Sequence, residues 1–517
     1  MHACLNVDEI LRLIANELIA SEAWATAAAF ACCRKSLEDP VLDALWKTQD
    51  RLIPLFRSLP GDVWDEDGPI VSAPITCIFS FLNHFVLKSF KRPPTMLEWA
   101  RFQKYARRMR NLEEPDTLGA PEVLSVLQLR AANEPLLPNL KTLRLRCITG
   151  ELIPFIPLFL SPRTTVIDIM FTGPSLPETL VASAVTAFPM LCPNLQEIDL
   201  YSLPRDPTIA AGVSGMLLAT NRNTLRHFCV DSPLTEEGRE VVFKLPNLRE
   251  LSTVIERDTS SPSAVLPNLA HLTITCDHGY DWLRMFQGAT LERLESVTFH
   301  SESEQIGDFL GAFESVALAA SVQNTLSILY LFTWCSWNPS YTSLLPFTQM
   351  EELTIQFSCI GGCSSSVDDD IIITLARAMP KLQALHLGGG PCRRIPTGVT
   401  VKGLVFLARH CPDLAALCVH FQVVSLSAPP VSAGTISYAE PTAPRRDCAL
   451  GRLHVGKIPM PKESVSAVAL TLARIFPRIH YISCVDENWL EVMNAISLSR
   501  QIVNCSSKQH PPRYTSK

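Results

Sequence analysis

No stretch of this chain is apolar for long enough to cross a membrane as a helix. The most apolar segment, residues 153–160, carries Pro154 and Pro157 and falls well short of the ~18 apolar residues a spanning helix needs. Charge of one sign is not in excess either: charged residues make up 19% of the chain and the formal net charge is -6. Neither nucleic acid nor a membrane surface is therefore expected as a partner, and any basic patch must be local. The opening Met1-His2-Ala3-Cys4-Leu5-Asn6, followed by Asp8 and Glu9, lacks the basic region and apolar core of a secretory signal, so export is not expected. The 17 cysteines lack an even count and a regular spacing, and many stand where Leu or Val would serve. They are expected to be buried, reduced thiols of a cytoplasmic or nuclear protein.

Motifs that carry chemistry are missing too. No phosphate-cradling Gly-x-x-x-x-Gly-Lys-Ser/Thr occurs; Gly388-Gly389-Gly390-Pro391 lacks the following lysine and reads as a turn. There is no Gly-x-Ser-x-Gly elbow, no His-Glu-x-x-His and no paired Cys-x-x-Cys, and Cys359 with Cys363 has no matching partners. Asp368-Asp369-Asp370 lacks the spaced oxygen ligands of a calcium loop and stands where a helix begins, so capping is its expected role. No catalytic residue, metal or cofactor is expected, and the chain is not expected to be an enzyme.

A repeat is what the chain does have. At 517 residues it exceeds what one core usually supports, so several domains or a repeat array is required. A frame of apolar, two variable, apolar, one variable, apolar recurs thirteen times. It starts at Leu140/Leu143/Leu145 and runs through copies such as Leu195/Ile198/Leu200, Leu326/Leu329/Leu331 and Leu414/Leu417/Val419 to Ile479/Ile482/Cys484. Seven copies share a preceding Pro-x-apolar, among them Leu137-Pro138-Asn139-Leu140, Cys411-Pro412-Asp413-Leu414 and Phe476-Pro477-Arg478-Ile479. A proline that ends a helix and leads into a short strand explains the phase. The segments 370–378, 401–409 and 464–474 bury one face and end in a basic residue, as helices do. No strand-turn-helix unit buries its apolar face alone, so the units are expected to stack.

These units resemble leucine-rich repeats, and Leu407-Ala408-Arg409-His410-Cys411-Pro412-Asp413-Leu414-Ala415-Ala416-Leu417 is similar to the cysteine-containing subtype that accompanies F-box domains. The resemblance implies an α/β solenoid over residues 136–505, with parallel strands on a concave face and helices on a convex one. A mobile loop is expected at 425–447 and a disordered tail at 506–517. One departure is visible: the Asn or Cys that the family places after the third apolar residue is replaced by Ile148, Leu203, Asp277 and Gln422, so the turns must satisfy their backbone groups otherwise.

Residues 1–50 form a different pattern. Apolar Ile10, Leu11, Ile14 and Leu18 share one helical stripe; a segment through Cys32-Cys33-Arg34 and then Asp39-Pro40-Val41-Leu42-Asp43-Ala44-Leu45-Trp46 follow. Three short helices are expected, and the plain reading is a cap on the first repeat. Their order also resembles the F-box, although that family's opening Leu-Pro is here Asn6-Val7. This resemblance implies that Ile10, Leu11, Ile14, Leu18, Leu45 and Trp46 contact a Skp-type adaptor, and through it a cullin scaffold. The chain would then be the substrate-recognition subunit of a ubiquitin ligase, its repeats holding an unknown target protein. The alternative is a repeat scaffold without ligase association. Residues 51–135 form an intermediate helical and irregular segment, in which 99–110 is a basic amphipathic helix with Phe102, Tyr105, Ala106 and Met109 on its apolar side.

Strand alternation turns the variable frame positions toward the concave face. Asp168, Glu197, Asp199, Asp231 and Glu250 then form an acidic strip, and Ile328, Tyr330 and Phe332 an apolar patch. A target with a basic segment and an apolar anchor is the expectation. His386, Cys418 and His454 take the same position in three consecutive copies, with His420 two residues beyond Cys418. Zinc would fit these residue types, but parallel strands hold side chains abreast rather than converging, and a plain polar surface is expected.

Overall fold

The computed structural model describes residues 7–66, 87–114, 119–132, 134–173, 176–255, 266–276, 291–301, 322–334, 341–358, 367–388, 397–423, 426, 448–456, 458–484 and 486–508. The chain divides into two compact units that meet at Val254 and Ile255.

The first unit opens with α1 (Asp8–Ala20), α2 (Trp24–Cys32) and α3 (Lys35–Lys47). Their interior is built on Ala15, Ala27, Ala31 and Val41, with Leu18, Ile19, Phe30, Ala44 and Leu45 packed against it. Alanine at three of the four central positions lets the backbones approach closely, which suits helices this short. The chain leaves α3 straight into β1 (Thr48–Gln49), which pairs in parallel with β2 (Asn111–Glu114). Parallel pairing then continues through β3 (Thr142–Ile148), β4 (Val166–Phe171), β5 (Glu197–Tyr201), β6 (His227–Pro233) and β7 (Glu250–Ile255). The ladder thus starts well before residue 136. Met109, Leu112 and Glu114 occupy one further frame whose third slot holds a carboxylate; it is 4% exposed and accepts the Leu52 N–H at 2.9 Å.

The second unit repeats the plan with β8 (His271–Cys276), β9 (Ser296–Ser301), β10 (Ile328–Trp334), β11 (Glu352–Ser358), β12 (Ala384–Leu387), β13 (Ala416–Val419), β14 (Arg452–Gly456) and β15 (Tyr481–Cys484), all paired in parallel. Helices α4 (Asp369–Ala378), α5 (Val401–His410) and α6 (Val465–Ile475) fall on the three segments read as helical, and α7 (Asn488–Lys508) continues beyond residue 505. The loop expected at 425–447, all but Leu426, and the tail beyond Lys508 lie outside the described residues.

One side chain per frame position stacks on its equivalent in the next strand. In the first unit Leu143, Ile167, Ile198, Phe228 and Leu251 form a row; in the second, Leu272, Val297, Leu329, Leu353, Leu385, Leu417, Leu453 and Ile482 do. Every member is at most 3% exposed, and each such burial contributes about 1.5–3 kcal/mol. The prolines work as the sequence suggested: Leu140 N donates to Leu137 O at 3.0 Å and Leu414 N to Cys411 O at 3.2 Å, so Pro138 and Pro412 hold the second position of a turn, where a fixed φ is favourable. At the entries to β3–β7 and β9–β15 two consecutive amides share one carbonyl of the preceding strand's entry, as Arg226 N and His227 N do with Gln196 O at 2.8 and 3.0 Å.

Candidate protein-binding surfaces

The helical module places the six expected adaptor contacts in three environments. Leu11 is 1% exposed, so it belongs to internal packing and not to an outward stripe. Leu18 and Leu45 pack against the module's alanine core. Trp46 lies over Tyr105, ring centroids 4.8 Å apart. Only Ile10 and Ile14 keep part of their surface in water away from such packing. The apolar side chains that do face water here are Val7, Leu13 and Trp24, at 42%, 67% and 49% exposure. The sequence stripe ran along one side of α1; α2 and α3 pack on the Leu11/Ala15 side, and Leu13 and Trp24 are left outside.

The apolar side of the segment after Trp99 turns inward, while Arg101, Lys104 and Arg107 are exposed. Phe102, Ala106 and Met109 are fully buried, Lys104 binds Glu38 at 2.8 Å, and Arg108 binds both Asp39 and Asp43 of α3. That face holds the helical module to the segment that follows it.

The five acidic residues of the first unit do not form one open strip. Asp168 is 5% exposed and is bound by Arg146 at 2.8 Å, with Arg144 at 3.7 Å; Arg144 also reaches Glu113 at 2.9 Å. Burial raises the Asp168 carboxyl above its ordinary range despite Arg146. His227 bridges Asp199 (Nε2, 2.5 Å) and Glu250 (Nδ1, 2.8 Å) on the flanking strands. Burial alone would discharge the ring, but the hydrogen bond and charge of Asp199, with Glu250, outweigh it and lift His227 to about 8. A protonated ring donates to both carboxylates. Asp231 is committed elsewhere: it accepts the Ser202 and Leu203 amides. That carboxylate satisfies two amides of the turn after β5, and Ser202 takes a left-handed φ of 59° to present its amide. Among the described residues, Glu197 takes part in neither of these charge networks.

In the second unit the outward strand positions carry a different chemistry. Ile328, Tyr330 and Phe332 do share it, and His300 on β9 stacks on Phe332 at 4.6 Å with planes 5° apart. Tyr330 and Phe332 lie 6.5 Å apart, and Tyr330 donates its hydroxyl to Glu352. Burial and this carboxylate push the Tyr330 phenol up to about 12. His386, Cys418 and His454 are register partners on β12, β13 and β14, abreast as expected. Among the described residues no group of three or more His, Cys, Asp or Glu is placed to hold a metal ion. Burial pushes the Cys418 thiol up to about 11, and burial followed by the charge of His454 pushes His386 down.

Two other sequence readings find their atoms on the opposite, helical side. Asp368 caps α4 by accepting from Ile371 N at 2.9 Å. Asp369 accepts from Thr400 N, Thr400 Oγ1 and Gly403 N at 2.8, 2.6 and 3.0 Å, which ties α4 to the start of α5. A Cβ on Gly403 would meet Asp369 Oδ1 at 2.5 Å, so the glycine is needed for that contact. Cys411 and Cys448 are buried, and their thiols donate to carbonyls near the preceding turn, as Cys448 does to Cys411 O and Leu414 O at 3.7 Å. Cys359, Cys363 and the glycines after Gly388 lie outside the described residues. No helix of the described residues is long and apolar enough to cross a membrane. No protein-family model matches the sequence, and no curated protein matches it.

Proposed function

We propose that this chain is the substrate-recognition subunit of a Skp-cullin-F-box ubiquitin ligase: the N-terminal helices grip a Skp-type adaptor, and the outer face of the strands holds the protein to be modified. The observation that carries this reading is the helical module itself. Three helices fill their own core and still leave Val7, Leu13 and Trp24 facing water. Apolar surface held outward on an otherwise satisfied module is what a partner would cover. The chain supplies proximity and no chemistry of its own: holding a target beside a charged conjugating enzyme makes a weak bimolecular step effectively intramolecular. The parallel repeat supports the second half of the reading, because its outward positions are free to vary without disturbing the leucine rows.

A repeat scaffold without ligase association is the second reading, favoured by one observation: Leu11 and Trp46, two of the expected contacts, are used internally. Co-expression of the full chain with a Skp-type adaptor and a cullin separates the two. The ligase reading expects both to co-purify with the wild type, and expects Leu13→Asp with Trp24→Asp to lose them while the circular dichroism melt is unchanged. Absence of both partners from the wild type, or their full retention in the double variant, would favour the scaffold.

A further inference from the structure

The outward positions of the second unit form two adjoining zones of different chemistry. The first is aromatic: His300, Phe332 and Tyr330 stack across β9 and β10, all half-exposed, and Ile328 borders them. The second extends over β12 to β15. Its paired outward positions hold alanine, histidine, cysteine, arginine, tyrosine and serine, with no carboxylate. Arg452 and His454 there are exposed. Between the zones the one acid on these outward positions, Glu352, is occupied by the Tyr330 hydroxyl. An arriving acidic group would meet Arg452 without repulsion from a neighbouring carboxylate on its own or the adjoining strands. Among the described residues, a basic group would find on these outward positions no carboxylate other than Glu352.

We propose that this face binds an acidic peptide segment carrying one aromatic or large aliphatic anchor, the anchor lying on Phe332 and His300 and the carboxylates on Arg452 and His454. The assignment follows from charge complementarity and is preferred to the basic target expected from the sequence, because Asp168, Asp199 and Glu250 are already paired with Arg146 and His227. It rests on the reading that the strands capture a protein. The span fixes the spacing. Four strand separations of about 4.8 Å lie between β10 and β14, about 19 Å in all, which an extended chain covers in roughly six residues at about 3.3 Å each. Large flat rings suit the anchor site, since aromatic side chains give contact area at small entropic cost.

Selection of phage-displayed random dodecapeptides on the immobilised full chain tests this. Enriched peptides should carry Asp or Glu about six residues from a Phe, Trp, Leu or Met. Fluorescence anisotropy with the best enriched peptide should show at least ten-fold weaker binding to Arg452→Glu and to Phe332→Ala. Arg452 is exposed, so its variant keeps the test decisive if Phe332→Ala unfolds. Enrichment of basic peptides, no enrichment, or unchanged affinity in Arg452→Glu overturns the proposal. Adaptor binding is measured separately: acidic enrichment without adaptor binding leaves this surface standing and removes the ligase reading, whereas adaptor binding with basic or no enrichment does the reverse.

Discussion

The two units of this protein have interiors of the same kind and differ in what they show to water. Both bury rows of Leu, Ile, Val and Phe, one side chain per strand, at 3% exposure or less. On the outward side the first unit spends its charges on itself, through Arg146 and Asp168 and through His227 between Asp199 and Glu250. The second places stacked rings and uncharged or basic side chains there. A parallel ladder leaves the outward residues free of the core's demands. The difference therefore separates a face that is electrostatically complete from one that is not.

The largest expected effect tests the shared part. Phe228 in the first unit and Phe299 in the second are equally buried, at 0% and 2% exposure, so Phe228→Ala and Phe299→Ala should each cost about 3–5 kcal/mol. Urea unfolding of the full chain reads this, and a cost near zero for either would mean that its row is not a packed core. The next effect is confined to the first unit. His227 sits at about 8, above its ordinary value of about 6.5. Its contribution is therefore complete below pH ~6.5 and is lost as pH rises through about 8, an effect on the order of 2 kcal/mol. Melts from pH 6 to pH 9 should show the loss in the wild type and not in His227→Gln; identical slopes in the two would mean that the bridge does not hold the proton. Smallest is the change at Asp168. Its carboxyl is raised, burial outweighing Arg146, so the ionised form is less favourable folded than unfolded at neutral pH. Asp168→Asn should be within about 1 kcal/mol of the wild type, in either direction. A loss of several kcal/mol would show that the arginines outweigh burial after all.

Much of this was legible in residue order alone. The apolar frames recur along the ladder because a row of stacked leucines tolerates almost nothing else and so repeats visibly; at one copy, Val166/Ile169/Phe171, the frame lies two residues earlier than the sequence reading set it, since Ile167 and not Ile169 pairs with Leu143. The ladder strand β2, before the first frame read from the sequence, was hidden for the same reason: its frame ends in Glu114, a buried carboxylate bound to the Leu52 amide, and a charged residue in an apolar slot erases the pattern. The acidic strip was misjudged because alternation gives the side of the sheet and not the neighbour across the strand gap. Arg144, Arg146 and His227 stand 22 to 31 residues from the acids they meet. Asp231 could not be placed because its partners are backbone amides of another repeat. In the helical module, the stripe on α1 marked what is apolar, while which half of it α2 and α3 would cover depended on their packing, and Leu13 and Trp24 emerged only with the fold.

The account turns on whether the helical module holds an adaptor. Light scattering on an eluting mixture of the purified full chain with a purified Skp-type adaptor measures it directly. A single species with the summed mass of one copy of each, lost when Leu13→Asp and Trp24→Asp are combined, is the predicted result. Two separate species with the masses of the free proteins would contradict it.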